Sequence, residues 1–272
     1  MRLSAADLSL RYEDVVVATD LSIEIPDGRV SALIGPNGSG KSTLLRALSR
    51  LLRPEAGEVV LDGKEISEYS TKEVARRLAI LPQVLIAPES ITVEELVAYG
   101  RFPQRRSIGG MRDEDRAAIE WAMSVTATSE LRDCPVDHLS GGQRQRAWIA
   151  LVLAQGTDLI LLDEPTTFLD IAYQLEVLEL LRHLNAAEGK TIVMVLHDIN
   201  MACEYAHHLF ALRDGTLFAQ GDPRDVLKAE LIREVFGIDA HILEHPTSGA
   251  PMCVPIPAPH GQVLDPPPAV VA

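Results

Sequence analysis

A glycine-rich run at residues 35–43 has the composition of a phosphate-binding loop. It reads Gly-Pro-Asn-Gly-Ser-Gly-Lys-Ser-Thr and lies between an apolar segment and a segment with helical spacing. Glycines let such a loop wrap so that its N–H groups point inward, and the helix that follows adds its positive N-terminus. In this pattern the lysine reaches the β- and γ-phosphates, and the next hydroxyl binds Mg²⁺. We therefore expect Lys41 and Ser42 to bind nucleotide phosphate and Mg²⁺.

Two carboxylates follow the apolar run of residues 159–162. Asp163 would end a buried strand, where it can hold Mg²⁺ through water. Glu164 would then polarise the attacking water as a general base. An acidic strand end with no chemical role is the alternative when the pair is considered alone. The loop and the carboxylates together predict nucleotide hydrolysis or phosphoryl transfer, which kinases, GTPases and recombinases share.

The segment Leu139-Ser140-Gly141-Gly142-Gln143 carries a second group of backbone donors. Ser140 is a good helix N-cap, and the two glycines let backbone amides approach a ligand closely. The helix N-terminus makes an anion site, yet the chain has no second phosphate loop to supply it. The predicted ligand is therefore the γ-phosphate held by another copy of the chain. An ordinary capped helix is the alternative.

The elements that must position these residues alternate between strands and helices. Residues 8–12 and 21–25 alternate with period two, and 29–34, 159–162 and 191–196 are near-continuous apolar runs typical of a parallel sheet covered on both faces. Helical spacing occurs at 42–52, 141–155 and 173–184, and a helical block at about 71–132 interrupts the alternation. The predicted fold class is α/β.

Composition excludes several classes of protein. A net charge of -14 over 272 residues makes duplex nucleic acid an unsuitable main partner. The three cysteines show no metal-ligand spacing and indicate a reducing compartment. The first residues lack a hydrophobic signal core, and no apolar run reaches the roughly 18–20 residues that span a bilayer. We expect a soluble chain that reaches a membrane only through a partner.

Residues 139–146, together with the phosphate loop and the strand-end acids, resemble the signature of ABC transporter ATP-binding subunits. The resemblance covers about residues 3–245. It implies that Tyr12 stacks on adenine and that Gln83 touches Mg²⁺ and the attacking water. It also implies that Asp170 crosses to the opposite subunit and that His197 lies near the γ-phosphate. The full set that it assigns to ATP is Tyr12, Gly35, Pro36, Asn37, Gly38, Ser39, Gly40, Lys41, Ser42, Thr43, Ser140, Gly141, Gly142, Gln143 and Asp170.

The resemblance also implies roles and an assembly. Glu164, His197, Lys41 and Gln83 would be catalytic, and Ser42, Gln83 and Asp163 would bind Mg²⁺. The fold would be a P-loop NTPase core with a parallel sheet, an N-terminal antiparallel β subdomain and an inserted helical subdomain. Residues 1–245 would form the ATPase domain, with the helical subdomain at about 84–150, and 246–272 a Pro-rich tail that is extended or disordered.

The same resemblance predicts partners. Two copies would form a homodimer on integral membrane permease subunits, at the cytoplasmic face of the cell membrane and peripheral to it. An extracytoplasmic substrate-binding protein would take part indirectly, and no nucleic acid would bind. The nearest relatives by motif are importers of iron-siderophore complexes, haem and cobalamin, and the sequence leaves open which of these is the cargo.

Three rival functions remain to be compared with this prediction. The same type of ATPase domain serves in DNA maintenance and on ribosomes. DNA-maintenance relatives carry a long coiled coil between the phosphate loop and the signature, and ribosomal ones usually carry two cassettes per chain. This sequence shows neither feature. A P-loop kinase for a small molecule would not need residues 139–143. A non-enzymatic ATP-binding scaffold would be expected to have lost one of Lys41, Asp163, Glu164 or His197, and all four are present.

Overall fold

The computed structural model describes residues 2–12, 15–105, 110–167 and 169–257. Within them the strands are β1 (Leu3–Tyr12), β2 (Val15–Ile25), β3 (Val30–Ile34), β4 (Ala56–Leu61), β5 (Lys64–Glu65), β6 (Leu78–Leu81), β7 (Leu159–Leu162), β8 (Thr191–Val195), β9 (His208–Arg213), β10 (Thr216–Gly221), β11 (Ala240–Glu244) and β12 (Pro251–Pro255). The α-helices are α1 (Lys41–Leu48), α2 (Thr71–Ala75), α3 (Val93–Tyr99), α4 (Asp113–Val125), α5 (Gly141–Ala154), α6 (Ile171–Glu188), α7 (Ile199–Tyr205), α8 (Pro223–Val226) and α9 (Ala229–Leu231). Single turns of 3-10 helix occupy Ile66–Glu68, Ser129–Leu131 and Val136–His138, and a π-helical turn occupies Ile232–Phe236.

The central sheet has the strand order β10-β9-β3-β8-β7-β6. Its strands from β9 to β6 are parallel, and only β10 runs antiparallel, against β9. All residues of β3, β7 and β8 are buried, as their apolar composition predicts. One face packs on α5, α6 and α7, and the other packs on α1 and the N-terminal sheet. These two hydrophobic clusters hold the carboxyl ends of the parallel strands in place.

A second sheet, with strand order β2-β1-β4-β5, is antiparallel. Its buried side chains, among them Leu8, Leu10 and Ile25, pack against Leu44 and Leu48 of α1. The sheet therefore covers the helix that follows the phosphate loop. The predicted P-loop core with an N-terminal antiparallel sheet and an added helical region is confirmed.

Helices α3, α4 and α5 are joined by the guanidinium group of Arg101. Its Nε donates to Asp115 Oδ1 (3.0 Å), and its Nη1 donates to the carbonyl of Ala154 (2.8 Å). Asp115 is fully buried and also accepts hydrogen bonds from the backbone N–H and Nε of Arg112, both at 3.2 Å. Burial alone would raise the pKa of Asp115, but these hydrogen bonds lower it to about 2. Arg101 thus fixes the C-terminal end of the helix that carries residues 139–143 at its start.

Several elements differ from the sequence-based prediction. Strand β6 lies inside the block that we predicted to be helical and loop-rich. The strand was not predicted because Leu78–Leu81 is only four residues long, too short to show a period-two pattern. It pairs in parallel with β7 at the edge of the central sheet. The predicted tail also begins too early. Pro251–Pro255 forms β12, which pairs with β11, and the rest of that prediction, residues 258–272, lies outside the described residues.

The prolines at residues 251 and 255 led to the prediction of an irregular tail where the structure has a strand. A proline cannot donate to a strand ladder, so it is found in edge strands or at strand ends. Pro251 and Pro255 occupy the two ends of β12, in a hairpin of only two strands.

In the described part of the chain, no helix is both long and apolar enough to cross a membrane.

The buried ion pair leads to a stability prediction. Asp115→Asn leaves Arg101 buried without its counter-charge, so we expect the free energy of unfolding to fall by about 3 kcal/mol, measured by urea denaturation at pH 7. Asp113→Asn, exposed in the same first turn, should cost less than about 1 kcal/mol. Because the folded-state pKa of Asp115 is depressed, its contribution is present above about pH 4 and is lost as the pH falls towards about 2. Equal stability of the two variants at pH 7 would contradict this role.

Candidate nucleotide site

The phosphate loop connects β3 to α1 and depends on glycine at two points. Gly35 has φ +148, and a Cβ there would lie 2.2 Å from the carbonyl oxygen of Leu212. Gly40 has φ +97 and precedes the first residue of α1. The Lys41 ammonium donates to the carbonyls of Gly35 and Pro36, each at 2.8 Å. The loop is therefore wrapped around the lysine that follows it.

Lys41 is buried, and burial lowers the pKa of its ammonium group. The carboxylates of Glu164 and Asp163 partly oppose that shift. A buried ammonium between backbone carbonyls and two carboxylates is a strong donor for a polyanion. The loop thus has the charge and the donors that nucleotide phosphates require.

Ser42 and Asp163 meet at the start of α1 and the end of β7. The Ser42 hydroxyl donates to Asp163 Oδ1 at 2.7 Å. Asp163 is buried, and burial raises the pKa of its carboxyl group, while the hydrogen bond from Ser42 opposes the shift. Two of the three predicted Mg²⁺ ligands, Ser42 and Asp163, therefore lie side by side, and both present oxygen.

The Glu164 carboxylate is held by hydrogen bonds at both of its oxygens. Gln83 Nε2 donates to Oε1 (2.9 Å), and His197 Nε2 lies 2.8 Å from the same oxygen. Thr167 Oγ1 donates to Oε2 at 3.0 Å. Burial acts to raise the pKa of Glu164, but the hydrogen bonds from His197, Thr167 and Gln83 lower it overall. The carboxylate is thus kept ionised and in one orientation.

Lys41, Ser42, Gln83, Glu164 and His197 share one cavity of about 550 Å³. Tyr12 closes one side; it is 47% exposed and lies 5.6 Å from the guanidinium of Arg46, measured to the ring centroid. The cavity is lined by Tyr12, Val15, Val17, Asn37, Gly38, Gly40, Lys41, Ser42, Thr43, Gln83, Glu164 and His197. An exposed aromatic ring beside a basic phosphate loop suits a base at one end and phosphates at the other.

The residues of the signature segment lie elsewhere. Ser140 caps α5 by accepting a hydrogen bond from Gln143 N (3.3 Å), and Gln143 Oε1 accepts one from Ser140 N (3.0 Å). Asp170 caps α6 in the same way, through Tyr173 N (3.1 Å). Ser140, Gly141, Gly142, Gln143 and Asp170 do not line the cavity of the phosphate loop. The structure therefore brings together one half of the predicted site and leaves the other half apart from it.

Helix α5 is nevertheless tied to the site strand. Gln145 is buried, and its Nε2 donates to the carbonyl of Pro165 at 2.9 Å. Pro165 is the residue after Glu164, so the first turns of α5 are bonded to the backbone beside that carboxylate. Sequence reasoning missed this contact, because nothing in the segment around Gln145 indicates which way its side chain points.

Two further residues at the site were also missed. Thr167 follows Glu164 by three residues, a spacing that a turn would bring together, and it donates to the carboxylate. Arg46 is one helical turn after Ser42, and its charge lowers the pKa of Asp163 against the effect of burial. Only the i, i+4 spacing on α1 could have indicated Arg46.

Comparisons with known proteins identify the family to which the chain belongs. Residues 18–167 match the family described as ABC transporter. The ferric enterobactin transport ATP-binding protein FepC of Escherichia coli (strain K12) is 52% identical over 255 residues, covering 94% of each chain. The iron(3+)-hydroxamate import ATP-binding protein FhuC of Bacillus subtilis (strain 168) is 50% identical over 252 residues, covering 93% of this chain and 94% of its own length.

Solved structures give the same result. A putative metal-chelate type ABC transporter in an inward-facing conformation superposes with a TM-score of 0.80 at 28% identity, covering 94% of this chain and 97% of its own. The dimeric bacterial ABC transporter cassette MJ0796 superposes with a TM-score of 0.73 at 27% identity, covering 81% of this chain and 98% of its own. The chain therefore belongs to the ABC transporter family, as an ATP-binding subunit that hydrolyses ATP.

Proposed function

We propose that this chain powers a membrane importer for ferric siderophores, as one half of a head-to-tail dimer that encloses two ATP molecules. One observation carries the dimer: the phosphate loop and the signature segment are both intact, yet they do not share a cavity. A two-fold axis that sets the phosphate loop of one copy against the signature segment of the other completes both sites at once. The known dimeric cassette in the same family supports this arrangement.

Within one copy, Lys41 and the loop amides bind the β- and γ-phosphates, and Tyr12 stacks on the adenine ring. The oxygens of Ser42 and Asp163, with the side-chain oxygen of Gln83, fit Mg²⁺, which prefers hard oxygen ligands. When bound, Mg²⁺ would neutralise charge on the phosphate oxygens. These roles use only groups that line the cavity or adjoin it.

Hydrolysis needs a proton acceptor beside the γ-phosphate. Water attacks phosphorus, its proton passes to the Glu164 carboxylate, and the bond to the leaving ADP oxygen breaks to give ADP and inorganic phosphate. The lowered pKa of Glu164 keeps it ionised at neutral pH, as an acceptor must be. His197 and Gln83 hold the accepting oxygen in place, and His197 is positioned to contact the γ-phosphate.

The partner copy supplies the opposite wall. The amides at the start of α5, exposed beside Ser140, bind the γ-phosphate from the other side. Asp170 crosses at the edge of the same interface. ATP then joins the two copies because its γ-phosphate carries the charge that both walls bind, and hydrolysis removes that charge. Opening and closing of the dimer is the work that the subunit performs.

The membrane partner would be an integral permease. Residues 84–102, which follow Gln83 in the chain, expose apolar side chains, among them Val84, Ile86 and Phe102. This surface adjoins both the site, through Gln83, and the helices joined by Arg101. It would carry dimer closure to the permease at the cytoplasmic face, and an extracytoplasmic binding protein would deliver the cargo. With a net charge of -14, no role for nucleic acid is included.

The cargo proposal rests on relatives. Two of them, with 50% and 52% identity over almost the whole chain, are by name import or transport subunits for ferric hydroxamate and ferric enterobactin. A hemin import subunit from Rhodococcus jostii (strain RHA1) is 41% identical over 88% of this chain. The higher identity favours a ferric siderophore over haem.

Copurification tests the cargo. We expect a tagged Glu164→Gln chain, extracted from membranes with ATP, to bring down a permease whose binding protein retains a ferric siderophore, identified by mass spectrometry. A binding protein that retains haem or a cobalamin instead would refute the proposed cargo. That result would not affect the proposal of an ATPase dimer.

The general base gives a kinetic prediction. Glu164→Gln removes the proton acceptor but keeps its shape, so we expect turnover to fall by about 10²–10⁴ and an ATP-bound dimer to accumulate. Phosphate release and sedimentation velocity measure the two effects. Glu58→Gln, on the exposed side of β4, is the matched control and should leave both unchanged. Turnover at the wild-type rate in Glu164→Gln would show that Glu164 is not the general base.

The proposed ATP site shared by two copies gives a second kinetic prediction. Ser140→Arg places a bulky cation where the partner's nucleotide would lie, so we expect ATP hydrolysis to be lost while a fluorescent ATP analogue still binds the monomer. Ser124→Arg, an exposed serine on α4, should hydrolyse ATP normally. Wild-type specific activity should also fall on dilution below the dimer dissociation constant. Hydrolysis by dilute Ser140→Arg monomers would refute the shared site.

A further inference from the structure

The two oxygens of the Glu164 carboxylate have different surroundings. Oε1 lies 2.9 Å from Gln83 Nε2 and 2.8 Å from His197 Nε2. Oε2 accepts a hydrogen bond from Thr167 Oγ1 at 3.0 Å. Gln83 and His197 line the cavity of the phosphate loop, whereas Thr167 is not among the described residues that line it. Oε1 is therefore the oxygen on the side of the cavity, and Oε2 is the oxygen on the side of the protein.

The attacking water competes for Oε1. A carboxylate oxygen has two lone pairs, and the contacts with Gln83 and His197 use both of them at Oε1. At least one of these contacts has to be released before a water on the cavity side can donate its proton there. The support of the carboxylate at Oε1 therefore weakens at the step in which the carboxylate acts.

The donor at Oε2 is anchored independently of the cavity. Thr167 N donates to the Glu164 carbonyl at 3.2 Å, so the backbone and the side chain of Thr167 both return to the same residue. Pro165 lies between them with a fixed φ, and its carbonyl accepts a hydrogen bond from the buried Gln145 at 2.9 Å. None of Thr167, Pro165 and Gln145 is assigned to ATP or Mg²⁺. The turn of residues 164–167 can therefore keep its shape while the contacts at Oε1 change.

We propose that Thr167 is a positioning residue for hydrolysis, whose hydroxyl holds Oε2 of Glu164 while Oε1 exchanges a protein contact for the attacking water. The inference rests on the proposed function, because it requires Glu164 to be the general base. Thr167 contacts neither ATP nor the water in this role and acts only through the carboxylate. A general base has to stay within hydrogen-bond reach of the proton that it accepts, so a carboxylate that is free to rotate is a slower base.

Removing the hydroxyl alone tests this role. Thr167→Val keeps the branched shape of the side chain and deletes the donor. We expect kcat, measured by phosphate release, to fall about ten- to a hundredfold, as for the loss of one hydrogen bond to a charged group. The Kd of a fluorescent ATP analogue should equal that of the parent, because no group that binds nucleotide is altered. Thr167→Ser retains the hydroxyl and should recover most of the turnover.

Ser67→Ala is the matched control. Ser67 Oγ donates to Glu65 Oε1 at 2.6 Å, so it is also a hydroxyl that bonds a glutamate within one turn, and it lies in the exposed 3-10 turn of Ile66–Glu68. Loss of this bond should leave kcat and Kd unchanged. Parent turnover in Thr167→Val, or turnover as slow in Thr167→Ser as in Thr167→Val, would refute the role of the hydroxyl.

A double-mutant cycle separates action through Glu164 from an effect on the fold. In the Glu164→Gln background, Thr167→Val should change the rate of single-turnover hydrolysis little, because the base on which the hydroxyl acts is absent. If Thr167→Val slows this background by the same factor as it slows the parent, the inference is refuted while Glu164 keeps its role. If Glu164→Gln itself hydrolyses ATP at the wild-type rate, the proposed general base is refuted and this inference fails with it.

Discussion

Parallel pairing of neighbouring strands is the constraint on which the nucleotide site depends. The phosphate loop follows β3, His197 comes two residues after β8, and Asp163 follows β7 directly. Gln83 comes two residues after β6. Because β3, β8, β7 and β6 are adjacent and parallel, their carboxyl ends lie at one edge, and groups more than a hundred residues apart converge there. Side-chain hydrogen bonds then refine positions that the backbone has already brought within reach.

Two consecutive carboxylates acquire different properties at that edge. Burial dominates at Asp163, whose side chain accepts one hydrogen bond from Ser42, and its pKa rises. At Glu164 the hydrogen bonds from three side chains outweigh burial, and the pKa falls. Opposite shifts in adjacent acids are a common way to assign separate roles to chemically similar groups. Glu164 also has φ +53, a left-handed backbone conformation that turns its side chain toward different neighbours from those of Asp163.

Sequence reasoning recovered the parts of the molecule that have local signals. The phosphate loop, the buried strands β7 and β8, and the cap at Ser140 depend on residues that are close in the chain. Strand order, by contrast, depends on contacts between distant segments, so the sequence could not place Gln83 beside Glu164 without the family resemblance. The contacts of Thr167, Arg46 and Gln145 also depend on tertiary packing. The hairpin was missed because its prolines suggest an irregular chain, although edge strands tolerate them.

The bond from Gln145 to the Pro165 carbonyl has a consequence for the whole assembly. In the proposed dimer, α5 presents its first turn to the nucleotide of the neighbouring copy, while Gln145 on the same helix holds the backbone beside its own Glu164. In that dimer, a displacement of α5 on binding the neighbouring nucleotide would be transmitted through Gln145 to the backbone next to Glu164 of the same copy. The proposed arrangement therefore links the two ATP sites through one helix and one side-chain hydrogen bond.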